Sequence, residues 1–159
     1  MTWRRRCASA EDLERAGEDL AAVLASGDIV LLSGPLGAGK TTFTKGVARA
    51  LGVSERVTSP TFTMVREHHC HNAQGILTLH HADVYRVERL AEVLDFALGE
   101  LVEESAVALV EWGELAESVF GQAVLRVTFE VHDDDARALV VDGGLSGARA
   151  AALERWAHA

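Results

Sequence analysis

The stretch Gly34-Pro35-Leu36-Gly37-Ala38-Gly39-Lys40-Thr41 constrains this chain more than any other. It follows the apolar run Ile29-Val30-Leu31-Leu32 and leads into a helix-forming segment, Thr42–Leu51, closed by Gly52. The pattern G-x-x-x-x-G-K-[ST], set between a strand and a helix, is that of a phosphate-binding loop. Its glycines allow the backbone to curl and aim successive N–H groups at phosphate oxygens. The helix that follows directs its partial positive end at the same point. Lys40 is expected to bridge the β- and γ-phosphates, and the Thr41 hydroxyl to ligate Mg²⁺. The expectation is a nucleoside triphosphate site.

The rest of the pattern points to an α/β fold like that of P-loop nucleoside triphosphatases. A mixed sheet is expected, with a parallel core, antiparallel hairpins and flanking helices. Ser9 reads as an N-cap, with Leu13, Ala16, Leu20, Val23 and Leu24 at helical spacing and Gly27 as the stop. Ile29–Leu32, apolar on both faces, suits the centre of a parallel sheet. Pro60 interrupts the chain; Phe62–Glu67 and Ile76–His80 then read as a hairpin around Asn72 and Gly75. Arg89–Leu98 reads as a short helix and Ala106–Val110 as an apolar strand. Ala123–Val131 and Ala138–Asp142 read as a second hairpin, and Leu145–Ala157 as a closing helix.

A length of 159 residues suits one domain with one sizeable core. The basic run Arg4-Arg5-Arg6 is followed by no apolar stretch of signal-peptide type, and the longest apolar run is too short to span a bilayer. Two cysteines, Cys7 and Cys70, make no disulfide framework. A cytoplasmic protein without membrane contact is expected. The net charge of −9, with Lys40 and Lys45 the only lysines, disfavours direct binding to a phosphate backbone over most of the surface.

Triphosphate chemistry also needs a carboxylate near the cation and a group that positions the attacking atom. Asp83, in His81-Ala82-Asp83-Val84-Tyr85-Arg86, falls just after the strand Ile76–His80; Glu111 falls at the end of Ala106–Val110. Both compete with the plainer reading of a solvated strand-end acid. Ser59-Pro60-Thr61-Phe62-Thr63 suits a γ-phosphate switch or a plain turn. The histidines His68, His69, His71, His80 and His81, with Cys70, lack the spacing of a structural zinc site; an exposed hairpin tip is the expectation. Trp3 and Trp156 read as packing residues.

Taken together, these stretches resemble the TsaE (YjeE) family of bacterial P-loop ATPases, over nearly the whole chain. The resemblance is carried by Gly27-Asp28, by Leu36–Phe43 and by Val57-Thr58-Ser59-Pro60-Thr61-Phe62-Thr63-Met64-Val65. It continues through His81-Ala82-Asp83-Val84-Tyr85-Arg86 and Val110-Glu111-Trp112. Pro35 stands where the family usually has Asp, which stiffens the loop; Gly113 stands where Pro is common. The resemblance implies that Gly37, Ala38, Gly39, Lys40, Thr41 and Thr42 hold the phosphates of ATP or ADP. It implies Mg²⁺ as cofactor, held by Thr41, Asp83 and Glu111 directly or through water, with Asp83 positioning the ion or the attacking water, and Lys40, Asp83 and Glu111 as the catalytic set. Ser59–Thr63 would be the switch, Arg137 would reach nucleotide, and the helix start near Ala10 would meet adenine. The implied role is an accessory ATPase, weak alone, that supports the TsaB–TsaD complex in threonylcarbamoyl modification of the adenosine next to the tRNA anticodon, with tRNA met only indirectly.

Three other readings compete. A small-molecule kinase would use the same loop and carboxylates, but the chain is short for an arginine-rich lid and a substrate insertion. A GTP switch would show an Asn-Lys-x-Asp base-reading segment, and none occurs. A module that binds nucleotide without hydrolysing it stays open at the level of sequence.

Overall fold

Ile29-Val30-Leu31-Leu32 has no polar face to turn to water, so it needs neighbours on both edges and cover on both sides. It gets them. In the computed structural model, which describes residues 1–58, 65–83, 104–111, 125–132 and 135–159, strand β2 (Ile29–Ser33) lies inside a sheet, paired in parallel with β5 (Ala106–Glu111) on one edge and β6 (Leu125–Val131) on the other. The other described strands are β1 (Thr2–Cys7), β3 (Val65–His69), β4 (Thr78–Asp83) and β7 (Arg137–Gly143), and the order across the sheet is β1-β7-β6-β2-β5-β4-β3. β6, β2, β5 and β4 run parallel, while β3 and the pair β7 and β1 add antiparallel edges. This is the expected mixed sheet, with both hairpins in place.

Strand β1 was not expected. Its inward positions are Trp3, Arg5 and Cys7, and an arginine in the middle hides the alternation. Arg5 lies inside because it has partners there. Its Nη1 donates to Asp19 Oδ2 at 2.8 Å and to the Trp156 carbonyl at 3.2 Å, and the guanidinium lies 5.6 Å from the centre of the Trp156 ring. A charge bonded in this way can be buried without the full desolvation penalty.

Helix α1 (Ala10–Ala21) starts where its cap predicts: Ser9 Oγ accepts the Asp12 N–H at 3.1 Å. It ends before Val23 and Leu24, which a tighter turn (Val23 N–H to Leu20 O, Leu24 N–H to Ala21 O) still brings into the core. Helix α2 (Lys40–Ala50) crosses α1 backbone to backbone. A Cβ on Gly17 would collide with the Phe43 carbonyl, and one on Gly46 with the Glu14 carbonyl. Leu13, Leu20, Phe43 and Val47 join Val30, Leu32, Leu109, Val127 and Phe129 in one apolar core. The Phe43 and Phe129 rings meet edge to face at 5.5 Å. Helix α3 (Gly147–Ala157) closes over β1 and α1, and Trp156 Nε1 donates to the Ala16 carbonyl at 2.9 Å. Trp3 and Trp156 are packing residues, both buried. The expected helix Arg89–Leu98 and the first residues of Phe62–Glu67 and Ala123–Val131 lie outside the described residues.

Candidate functional site

The carboxyl end of β2 opens into the loop Gly34–Gly39, and α2 starts at once after it. Gly39 caps the helix with φ of 104°, a left-handed conformation that a side chain would strain. Helical geometry leaves the first-turn N–H groups of α2 without an acceptor in their own helix. No acidic residue occupies that turn and no side chain caps it, so the dipole and the N–H groups both favour an anion there. Lys40 is buried, and its Nζ donates to the Gly34 carbonyl at 2.6 Å and the Pro35 carbonyl at 3.3 Å, which holds the ammonium over the loop. Pro35 also accepts the Ala38 N–H at 3.1 Å, so the proline sits inside a tight turn and fits it. Thr42 lies in the first turn of α2, partly exposed.

Thr41 and Glu111 meet. β2 and β5 are parallel neighbours with Leu32 opposite Glu111, so the last residue of β5 comes out beside the loop. The Thr41 hydroxyl donates to Glu111 Oε1 at 3.3 Å, at the long end for such a bond and therefore weakly held. Glu111 is 3% exposed, and the same oxygen accepts from His81 Nε2 at 3.2 Å. Asp83 is the last residue of β4, not a residue beyond its end as expected, because the strand runs on through His81 and Ala82. It lies opposite Glu111 in the parallel register. A hydroxyl and two carboxylates are hard oxygen donors, the kind that suit Mg²⁺.

Arg137, first residue of β7, reaches the loop from the other side. Its Nε donates to the Ala38 carbonyl at 3.1 Å and its Nη2 to the Gly37 carbonyl at 3.4 Å; Nη1 donates to the carbonyls of Asp135 and Ala136. The guanidinium thus braces loop carbonyls. Ala10 is exposed at the start of α1, one turn before Leu13, whose side chain packs against Gly39. The switch residues Ser59, Pro60, Thr61, Phe62 and Thr63 lie outside the described residues, as do Arg86 and Trp112.

The histidines are not an exposed hairpin tip. His68, His80 and His81 are buried, and His68 Nδ1 bonds Glu55 Oε1 at 2.6 Å; only His69 and His71 match the expectation. Among the described residues no three metal-binding side chains gather. Burial pushes the thiols of Cys7 and Cys70 up, Cys70 to about 11, so neither is poised as a thiolate. His81 is the site residue that the sequence reading missed. Its signal was present: on a strand extended to Asp83, His81 and Asp83 share a face.

A family model described as "Threonylcarbamoyl adenosine biosynthesis protein TsaE" matches residues 7–139. The chain is 39% identical to the tRNA threonylcarbamoyladenosine biosynthesis protein TsaE of Treponema pallidum, over 86% of this chain and 98% of that one. It is 40% identical to the TsaE protein of Bacillus subtilis, over 86% of this chain and 82% of that one. The crystal structure of Bacillus subtilis YdiB superposes with a TM-score of 0.75 at 31% identity, covering 99% of this chain and 95% of that one.

Proposed function

The chain belongs to the TsaE family, and we propose that within tRNA threonylcarbamoyladenosine biosynthesis it is an accessory ATPase, binding ATP with Mg²⁺ and hydrolysing it weakly alone. The observation that carries this reading is the meeting of Thr41 and Glu111 at the head of the glycine-rich loop. The loop and the open first turn of α2 make a cradle for phosphates, and Lys40 adds a cation that can turn from loop carbonyls to phosphate oxygens. Thr41 and Glu111, with Asp83 beside them, would hold Mg²⁺, which when bound neutralises charge on the β- and γ-phosphates. Gly37, Gly39 and Thr42 would contribute backbone donors, Ala38, whose N–H is given to Pro35, would line the phosphate loop, Ala10 would lie towards the base, and Ser59–Thr63 would answer to the γ-phosphate. Arg137 would hold the loop in its phosphate-ready form. The partner in this reading is the TsaB–TsaD complex. The acidic surface supports meeting tRNA through that complex rather than directly.

Calorimetric titration of the isolated chain with an ATP analogue and Mg²⁺ tests the nucleotide site, with Lys40→Ala beside it. Loss of one charge-assisted contact of about 1.5–3 kcal/mol weakens binding by roughly tenfold to over a hundredfold. Equal affinity in a folded Lys40→Ala variant would defeat the reading.

A further inference from the structure

We propose that His81 is a positioning residue for Glu111: its Nε2–H holds Oε1 of the carboxylate so that Glu111 and Thr41 present one prearranged pair of oxygens to a divalent cation. This rests on the proposed nucleotide and Mg²⁺ site and extends it to a side chain with no place in the ligand set.

His81 is 0% exposed, in the middle of β4, on the same face as Leu79. Packing alone gives no reason for an imidazole there; a leucine would fill an apolar position without a polar group to satisfy. The polar atom is satisfied at one place, by Glu111 Oε1 at 3.2 Å. A carboxylate oxygen in that contact accepts, so Nε2 carries the hydrogen. Nδ1 has no hydrogen-bond partner among the described residues, so the ring is held through Nε2 alone. Thr41 donates to that same oxygen from the loop side. Glu111 Oε1 therefore stands between a donor on β4 and a donor on α2, and its rotation about the last side-chain bond is restricted before any ligand arrives. A carboxylate that must swing into place gives up part of its metal affinity to ordering, and a second donor behind it removes that loss. The register makes the contact possible: His81 lies opposite Leu109, two residues before Glu111 on the neighbouring parallel strand.

Two substitutions separate this role from simple packing. Glutamine places its amide nitrogen where the imidazole has Nε2, whereas asparagine places its own at Nδ1, out of reach of Glu111. Affinity for a non-hydrolysable ATP analogue is measured by calorimetry in EDTA and across a Mg²⁺ titration. In His81→Asn the Mg²⁺-dependent gain in affinity is expected to fall by about tenfold or more, with affinity in EDTA unchanged. His81→Gln is expected to recover most of that gain. If His81→Asn keeps the full gain, or if both variants lose affinity equally in EDTA and in Mg²⁺, the positioning role is overturned while the nucleotide site stands. If the wild-type chain shows no Mg²⁺-dependent gain, the proposed function falls and this inference with it. Long-range ¹H–¹⁵N spectra of the wild-type protein give a readout that needs no variant to fold: hydrogen on Nε2 is expected, and a ring protonated on Nδ1 only overturns the proposal.

Discussion

Glu111 shows how much one buried carboxylate can be asked to do. It is 3% exposed, and among the described residues its Oε1 accepts two hydrogen bonds, from the Thr41 hydroxyl and from His81 Nε2. A buried carboxylate is costly to hold as an anion unless a cation comes with it, which is a reason to have one where a cation is delivered with a ligand. Glu111→Gln keeps the shape and an acceptor for Thr41 and His81 but removes the charge. Steady-state ATP hydrolysis is expected to fall by at least about tenfold, while affinity for nucleotide in EDTA does not fall. A Glu111→Gln variant as active as the wild type across a range of Mg²⁺ would reduce Glu111 to a structural residue.

At the scale of elements, the site depends on how closely α2 lies on α1. Leu13 of α1 packs on Gly39, and the two helices touch through Gly17 and Gly46, where carbonyls of the opposite helix occupy the space a methyl would need. Gly to Ala within a helix ordinarily stabilises it by about 1 kcal/mol. Here the sign reverses. Gly46→Ala drives its Cβ into backbone, which cannot rotate aside as a side chain can, and is expected to destabilise by about 1–3 kcal/mol. For a chain of this size that lowers the melting temperature by roughly 2–4 °C per kcal/mol, measured by circular dichroism. A higher melting temperature would show that α1 and α2 are not in backbone contact in solution. Because the same crossing sets where α2 begins, weaker nucleotide binding should accompany the loss of stability.

At the scale of the whole molecule, the loop proposed to cradle phosphate has Arg137 beside it, already engaged. Arg137 donates to the Gly37 and Ala38 carbonyls of the loop and to the carbonyls of Asp135 and Ala136 just before it in the chain, so its guanidinium is held against the loop. Under the proposed function, charge developing during phosphoryl transfer would then be under-compensated, and a missing arginine is worth about 10³-fold or more in rate. Phosphate release by the isolated chain is accordingly expected to be slow, and to rise when the TsaB–TsaD complex is titrated in and saturate at a fixed ratio, with Lys40→Ala as the blank. A fast isolated enzyme indifferent to that complex would favour a self-sufficient hydrolase or a kinase.

Local pattern in the sequence sufficed wherever a single element's own geometry was at stake. The apolar run Ile29–Leu32 foretold a strand inside the sheet, Ser9 the start of α1, and Gly34–Thr41 the loop between strand and helix. These follow from the period of apolar residues, from capping oxygens and from glycine's access to positive φ, all carried within a few residues. Beyond the two hairpins, and the grouping of Thr41, Asp83 and Glu111 that the family resemblance implied, which distant side chains touch was decided by the tertiary structure. Arg5 hides β1 in the sequence because an inward arginine makes sense only once Asp19 and Trp156 stand beside it. Arg137 meets Gly37 across 100 residues of chain, and Glu111 reaches Thr41 and His81 because β5 lies between β2 and β4 in parallel register. Strand order and register fix which side chains meet, and they are set by competition among all the strands for the sheet, a quantity no single stretch of residues contains.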